Sequence, residues 1–130
     1  MIVSDASALV EILIRSPAAS AIQRRLGARD QTLHAPHLID LEVAKALRRF
    51  ARTGQIEVTR GTQVLEDFLE VRLIRYPHHP LLPRIWELRH SVSAYDAAYV
   101  ALAESPDVPL VTRDARLAAA KDHRARIDLL

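Results

Sequence analysis

The chain has 130 residues, enough for one domain with its own hydrophobic core; 49% are apolar and only three are glycine, which excludes a disordered or low-complexity chain. It contains no cysteine, so disulfides, thiolate metal sites and thiol nucleophiles are excluded. The formal charge is only +2, but Lys45 and Lys121 are the only lysines among 18 basic residues. The rest are arginines, the side chain that grips phosphates through paired hydrogen bonds. Aromatic residues make up 5%, too few for a single-strand binder built mainly on base stacking. No apolar run reaches the length of a membrane span and no signal peptide is evident, so the expectation is a soluble, cytoplasmic protein.

In chain order, Met1 to Ser4 reads as a short apolar strand that runs into Asp5 and a helix over Ala6 to Ile14. Ser16-Pro17 opens a second helix ending near Leu26-Gly27, with Ser16 as its cap. Leu33 to Ala35 reads as a second strand broken by Pro36. The longest helix is expected over Leu38 to Arg52, closed by Gly54. Leu38, Leu41, Val43, Ala46, Leu47 and Phe50 form its apolar stripe, with Glu42 beside the stripe and Lys45, Arg48, Arg49 and Arg52 outside. Thr59 can cap a helix to about Leu69, and Val71 to Tyr76 alternates like a strand.

Pro77 to Pro83 is a rigid turn into a helix ending near Arg89. Its His78-His79 pair lies between prolines and lacks the one-turn helical spacing of a zinc pair, so it reads as a surface turn. Ser93 is an N-cap for a helix over Ala94 to Glu104, which Ser105-Pro106 stops. Val108 to Thr112 is a buried strand leading to Arg113-Asp114, Ala115 to Lys121 a short helix, and Ile127 to Leu130 an edge strand. Strands alternating with helices and no hairpin signal imply an α/β fold with a mostly parallel sheet covered on both faces, in a single domain over residues 1–130. Trp86, Tyr95 and Tyr99 are spaced like core or interface residues and receive no chemistry. Asp40 reads as a partner of its helix dipole.

Four acids share a type of position: Asp5, Glu42, Asp96 and Asp114 each lie at or near a helix N-terminus. Singly, each has a structural explanation. Asp5 and Asp114 can be N-caps, Asp96 stands three after Ser93 as in a capping box, and Glu42 suits the positive end of its helix. Together they have a chemical one. A parallel sheet sends Asp5 and Asp114 to the same carboxyl-end rim, where α/β folds bind ligands. Carboxylates gathered there repel one another unless a cation holds them, and an all-oxygen set suits Mg²⁺ or Mn²⁺. The Asp5-Ala6-Ser7-Ala8 turn lacks the glycines of a dinucleotide or P-loop site.

Four segments in register carry a family resemblance: VSDASALV from Val3, LEVAKALRR from Leu41, SAYDAAYVALA from Ser93 and LVTRDARL from Leu110. Across essentially the whole chain the sequence resembles the PIN-domain ribonucleases, in particular the VapC toxins of bacterial toxin–antitoxin pairs. The resemblance implies a three-layer α/β/α domain whose Asp5, Glu42, Asp96 and Asp114 gather around Mg²⁺ or Mn²⁺, with Ser7 and Thr112 as helper polar groups. It implies hydrolysis of RNA phosphodiester bonds to 5′-phosphate and 3′-hydroxyl ends, a homodimer, and inhibition by a VapB antitoxin that covers the acidic groove. Some members carry a further acid just after the last aspartate, where this chain has Arg116. Arg48, Arg49, Arg113 and Arg116 are candidates for flanking phosphates, against the plainer reading of solvated helix faces. The rival function is a non-catalytic RNA- or protein-binding module whose acids only cap helices.

Overall fold

The computed structural model describes residues 1–28 and 30–130. Its centre is a five-stranded sheet built from β1 (Ile2–Ser4), β2 (Leu33–Pro36), β3 (Leu73–Tyr76), β4 (Leu110–Thr112) and β5 (Ile127–Leu129). The strand order is β3-β2-β1-β4-β5, and every pairing is parallel.

Parallel neighbours need long crossovers, and these carry the helices. Between β1 and β2 lie α1 (Ala6–Leu13) and α2 (Ala19–Leu26); between β2 and β3 lie α3 (Ile39–Arg52) and α4 (Val58–Leu69). The chain then returns through α5 (Leu82–Glu87) and α6 (Ala94–Glu104) to β4, on the other side of β1, and α7 (Ala115–Ala118) leads to β5. Right-handed crossovers running in opposite directions place their helices on opposite faces. Accordingly α1 packs on α2, α3 and α4, while α6 packs on α5, β1 and β2. The result is the expected three-layer α/β/α arrangement. The direction of winding reverses between β1 and β4, so a crevice opens beyond their carboxyl ends.

Packing follows residue type. Ile2, Val3, Leu110 and Val111 in the two central strands are fully buried. In α6 the unbroken run Ala97–Ala103 is buried, which its small alanines permit by letting the helix lie close against the sheet. No helix is long and apolar enough to cross a membrane among the described residues.

Several local expectations change. Pro36 does not break β2: it pairs with Tyr76, and the next amide, of His37, donates to the Tyr76 carbonyl at 2.8 Å. Its own missing N–H would point the other way, beyond the last β1 pair, Val3 with His34. Thr59 does not cap α4; the helix starts at Val58 after Glu57, and no side chain caps it. Ser16 accepts from the Ala18 amide at 3.2 Å, capping a turn, and α2 starts later, at Ala19. Val71 and Arg72 precede β3, and α7 stops at Ala118.

Candidate metal centre

Asp5 follows β1 directly and N-caps α1, accepting from the Ala8 amide at 3.1 Å. It is 7% exposed and takes two further donors: Ser7 Oγ to Oδ1 at 2.6 Å and Thr112 Oγ1 to Oδ2 at 2.5 Å. Each hydroxyl also accepts an amide from the loop after β4: Ser7 from Arg113 at 2.8 Å, Thr112 from Asp114 at 2.9 Å. The strand ends either side of the winding reversal are thus tied through one aspartate. Burial raises the Asp5 pKa, and the hydroxyl and amide donors only partly offset this.

Glu42 is half-buried in the first turn of α3. Tyr99 of α6, 1% exposed, donates its hydroxyl to Glu42 Oε2 at 2.5 Å. Burial raises the Glu42 pKa, the tyrosine opposes this, the negative charges of Asp5 and Asp96 raise it further, and the Lys45 ammonium one turn along α3 lowers it. Burial and the same three acids hold the Tyr99 hydroxyl far above its ordinary pKa, so it is a permanent neutral donor. Asp96 stands in the first turn of α6, where its backbone N–H donates to the Ser93 cap at 3.1 Å. Its carboxylate accepts no hydrogen bond among the described residues.

Asp114 differs. It N-caps α7, accepting from the Arg116 amide at 2.8 Å, and the Arg116 guanidinium approaches Oδ2 at 3.4 Å. Burial would raise its pKa, but the Arg116 contacts hold it below the ordinary carboxylate value.

All four acids and Ser7 line one cavity of about 620 Å³, together with Tyr99, Lys45, Arg48, Arg49, Arg52 and Arg113. Thr112 stands behind Asp5, fully buried. At ~1.5 Å per residue, the wall supplied by α3 runs roughly 15 Å from Glu42 to Arg52. None of Lys45, Arg48, Arg49 and Arg52 is paired with an acid among the described residues. The cavity is therefore acidic at the strand ends and basic along α3.

Among the described residues no group of three or more Asp, Glu, His or Cys side chains stands close enough together to hold a metal ion as placed. Asp5 and Glu42 each turn an oxygen onto a hydroxyl donor, which favours the ionised carboxylate against burial. The donor set fits a hard divalent cation: every group is an oxygen, and the electrostatic coupling of Asp5, Glu42 and Asp96 is what an ion would relieve.

The other singled-out residues lie elsewhere. Asp40 pairs with Arg75 of β3 at 2.8 Å, and His78-His79 is an exposed turn. Tyr95 and Tyr99, four apart, do not share an environment: Tyr95 is 66% exposed. Arg116 does not line the cavity but binds Asp114. The sequence reading missed Tyr99, although a tyrosine three residues after a candidate ligand on the same helix face, with a hydroxyl that needs a partner if buried, was an available signal.

Fold and site define the class. Residues 2–122 match the PIN domain model, and the chain belongs to that family. Within it the chain belongs with the VapC ribonucleases: it is 43% identical to Ribonuclease VapC12 of Mycobacterium tuberculosis, over 100% of this chain and 99% of that protein. Among solved structures, PAE2754 from Pyrobaculum aerophilum superposes with a TM-score of 0.70 at 27% identity, covering 98% of this chain and 83% of that one. VapBC2 from Rickettsia felis, solved bound to a DNA fragment from its promoter, has the same fold, with a TM-score of 0.70, 16% identity, and coverage of 99% and 98%.

Proposed function

We propose that the protein is a divalent-metal-dependent endoribonuclease, the toxin of a toxin–antitoxin pair, built as one PIN domain over residues 1–130. The observation that supports this reading is the convergence of Asp5, Glu42 and Asp96 on one cavity at the winding reversal, where the side-chain donors on Asp5 and Glu42 are neutral hydroxyls. A structural cap does not require that. Asp5 and Asp114 do cap helices, but Glu42 caps nothing, and the Asp96 carboxylate is left free to bind a ligand.

Asp5, Glu42 and Asp96 would hold Mg²⁺ or Mn²⁺, with Asp114 at the margin of the same site. The bound ion would polarise a phosphodiester and lower the pKa of a water at neutral pH. Ser7 and Thr112 hold Asp5 in place. Lys45, Arg48, Arg49 and Arg52 would bind the flanking RNA backbone along α3. The name of VapC12 as a ribonuclease, at 43% identity across the chain, supports RNA as the substrate.

The partner is a VapB-type antitoxin, whose inhibitory segment would cover the polarised cavity. The protein is expected to form a homodimer; Leu82, Trp86 and Tyr95, exposed by 48%, 68% and 66% on the adjoining α5 and α6, offer apolar surface for assembly. The deciding experiment incubates the protein with RNA and Mg²⁺ or Mn²⁺, with an EDTA control. Cleavage should require the ion and disappear in Asp5→Asn and Asp96→Asn proteins that keep the wild-type circular dichroism spectrum. Undiminished cleavage in both would leave the acids as caps and the function unassigned.

A further inference from the structure

Tyr99 has no part in the chemistry above, yet it makes the one hydrogen bond on the Glu42 carboxylate among the described residues. Its hydroxyl donates to Oε2 at 2.5 Å, while Oε1 accepts no hydrogen bond among the described residues. The ring is 1% exposed, packed within the buried run of α6, and it lines the cavity. It stands three residues after Asp96, so both side chains leave α6 on the same face. One rigid tyrosine therefore fixes an acid of α3 relative to an acid of α6.

We propose that Tyr99 is a positioning residue for the ion: it holds one oxygen of Glu42 and leaves the other without a hydrogen bond and available to the ion. This rests on the metal-centre reading above. The chemistry of the donor matters. A lysine or arginine in its place would neutralise Glu42 and compete with the ion, as Arg116 does at Asp114. A phenol fixes the carboxylate and leaves its full negative charge. Asp5 is held by the same kind of neutral donor, from Ser7 and Thr112. Asp5 and Glu42 thus share one kind of donor, whereas Asp114, at the margin of the site, takes the Arg116 guanidinium.

The test is Mn²⁺ affinity, read from the electron paramagnetic resonance signal of free Mn²⁺, for wild type, Tyr99→Phe, Glu42→Gln and the double variant. Tyr99→Phe keeps the ring and should weaken binding by about 10–100-fold, the usual effect of losing a group that orients a metal ligand. In the Glu42→Gln background the same change should add almost nothing, because the tyrosine acts through that acid. Wild-type affinity in Tyr99→Phe overturns the proposal, and so does a full further loss in the double variant. Absence of Mn²⁺ binding by wild type instead overturns the metal reading on which the proposal rests. Should Tyr99→Phe not fold, ¹⁹F NMR of 3-fluorotyrosine-labelled wild type gives the answer, assigned through Tyr76→Phe and Tyr95→Phe. The Tyr99 resonance should shift as Mg²⁺ binds; a resonance unmoved at saturation overturns the proposal.

Discussion

Replacing Thr112 with valine removes one hydroxyl from a fully buried position and nothing else of consequence. That hydroxyl makes two short hydrogen bonds, donating to Asp5 Oδ2 at 2.5 Å and accepting from the Asp114 amide at 2.9 Å, and a long one of 3.4 Å with Ser7 Oγ. The first is charge-assisted and contributes about 1.5–3 kcal/mol; the orphaned amide adds about 1 kcal/mol. A loss of about 3 kcal/mol at pH 7 follows, or roughly 10 °C in thermal midpoint for a chain of this size. Thr112→Ser keeps both bonds and should lose only about 1 kcal/mol with its methyl group. The pH dependence has a definite sign. The threonine favours ionised Asp5, so without it the folded pKa of Asp5 rises further above the ordinary 3.8. A raised folded pKa gives stability that is complete below 3.8 and lost as pH rises through the folded value. The valine variant's deficit is therefore full at neutral pH and narrows to about 1 kcal/mol as the medium approaches pH 4, leaving the Asp114 amide. Urea denaturation in EDTA across pH 4–7 measures it. A valine variant as stable as the serine variant at pH 7, or a deficit independent of pH, would refute the reasoning.

Arg84→Met should destabilise by about 3–5 kcal/mol, because it takes a two-point partner (2.7 and 3.1 Å) from Glu104, a carboxylate only 4% exposed. Burial raises the Glu104 pKa, but Arg84 and the Arg124 amide outweigh it and bring the pKa below 4.5; this stability is present above 4.5 and lost as pH falls through the folded value, so wild type and variant should converge in acid urea melts. Removing Arg48 and Arg52 together should weaken RNA binding and reduce the salt slope of log K by about 1.4, two phosphate contacts at ~0.7 each, as read by filter binding with the inactive Asp96→Asn protein. An unchanged slope would make them a solvated face. Asp114→Asn should reduce Mn²⁺ affinity less than Asp5→Asn, Glu42→Gln or Asp96→Asn, since Arg116 already neutralises Asp114; calorimetric titration of the four gives the ranking, and Asp114 at its head would reverse the assignment.

Asp5 and Asp114 were legible because each ends a short apolar strand and begins a helix, a junction that local sequence marks twice over. Glu42 was legible as an acid beside an apolar stripe, where solvent alone does not account for it. What the letters did not carry was the spatial order of the strands. Thr112 reaches Asp5 and Ser7 reaches the Arg113 amide across separations of 107 and 106 residues, which no local pattern encodes. Pro36 and Thr59 were misread because both were judged by local preference. The sheet register made the proline harmless, and tertiary packing started α4 before the threonine that should have capped it. Tyr99 escaped for a related reason: helical spacing records that a ring is buried but not what its hydroxyl meets. Arg116 stood out as a departure from an acidic position, but only the geometry gives it a partner.

With an ion held at the acids and RNA bound along α3, as proposed above, the same geometry would make the two dependent on each other. Asp5 and Asp96 lie at the N-termini of α1 and α6, and Glu42 in the first turn of α3, so three positive dipole ends ease the repulsion among these acids without cancelling it. Neutral hydroxyls orient two of them and remove no charge, and the one acid with a cationic partner, Asp114, is the one whose pKa lies below normal. Without an ion, this end of the cavity repels a phosphodiester, while the unpaired cations along roughly 15 Å of α3 attract one. On the proposed reading, RNA would then hold to α3 while its scissile bond is kept from the acids. A divalent ion there would offset two of the three negative charges and offer a phosphate oxygen a cation to bind, letting the backbone complete its path. Because binding free energies are reciprocal, RNA must tighten the ion by the same factor as the ion tightens RNA.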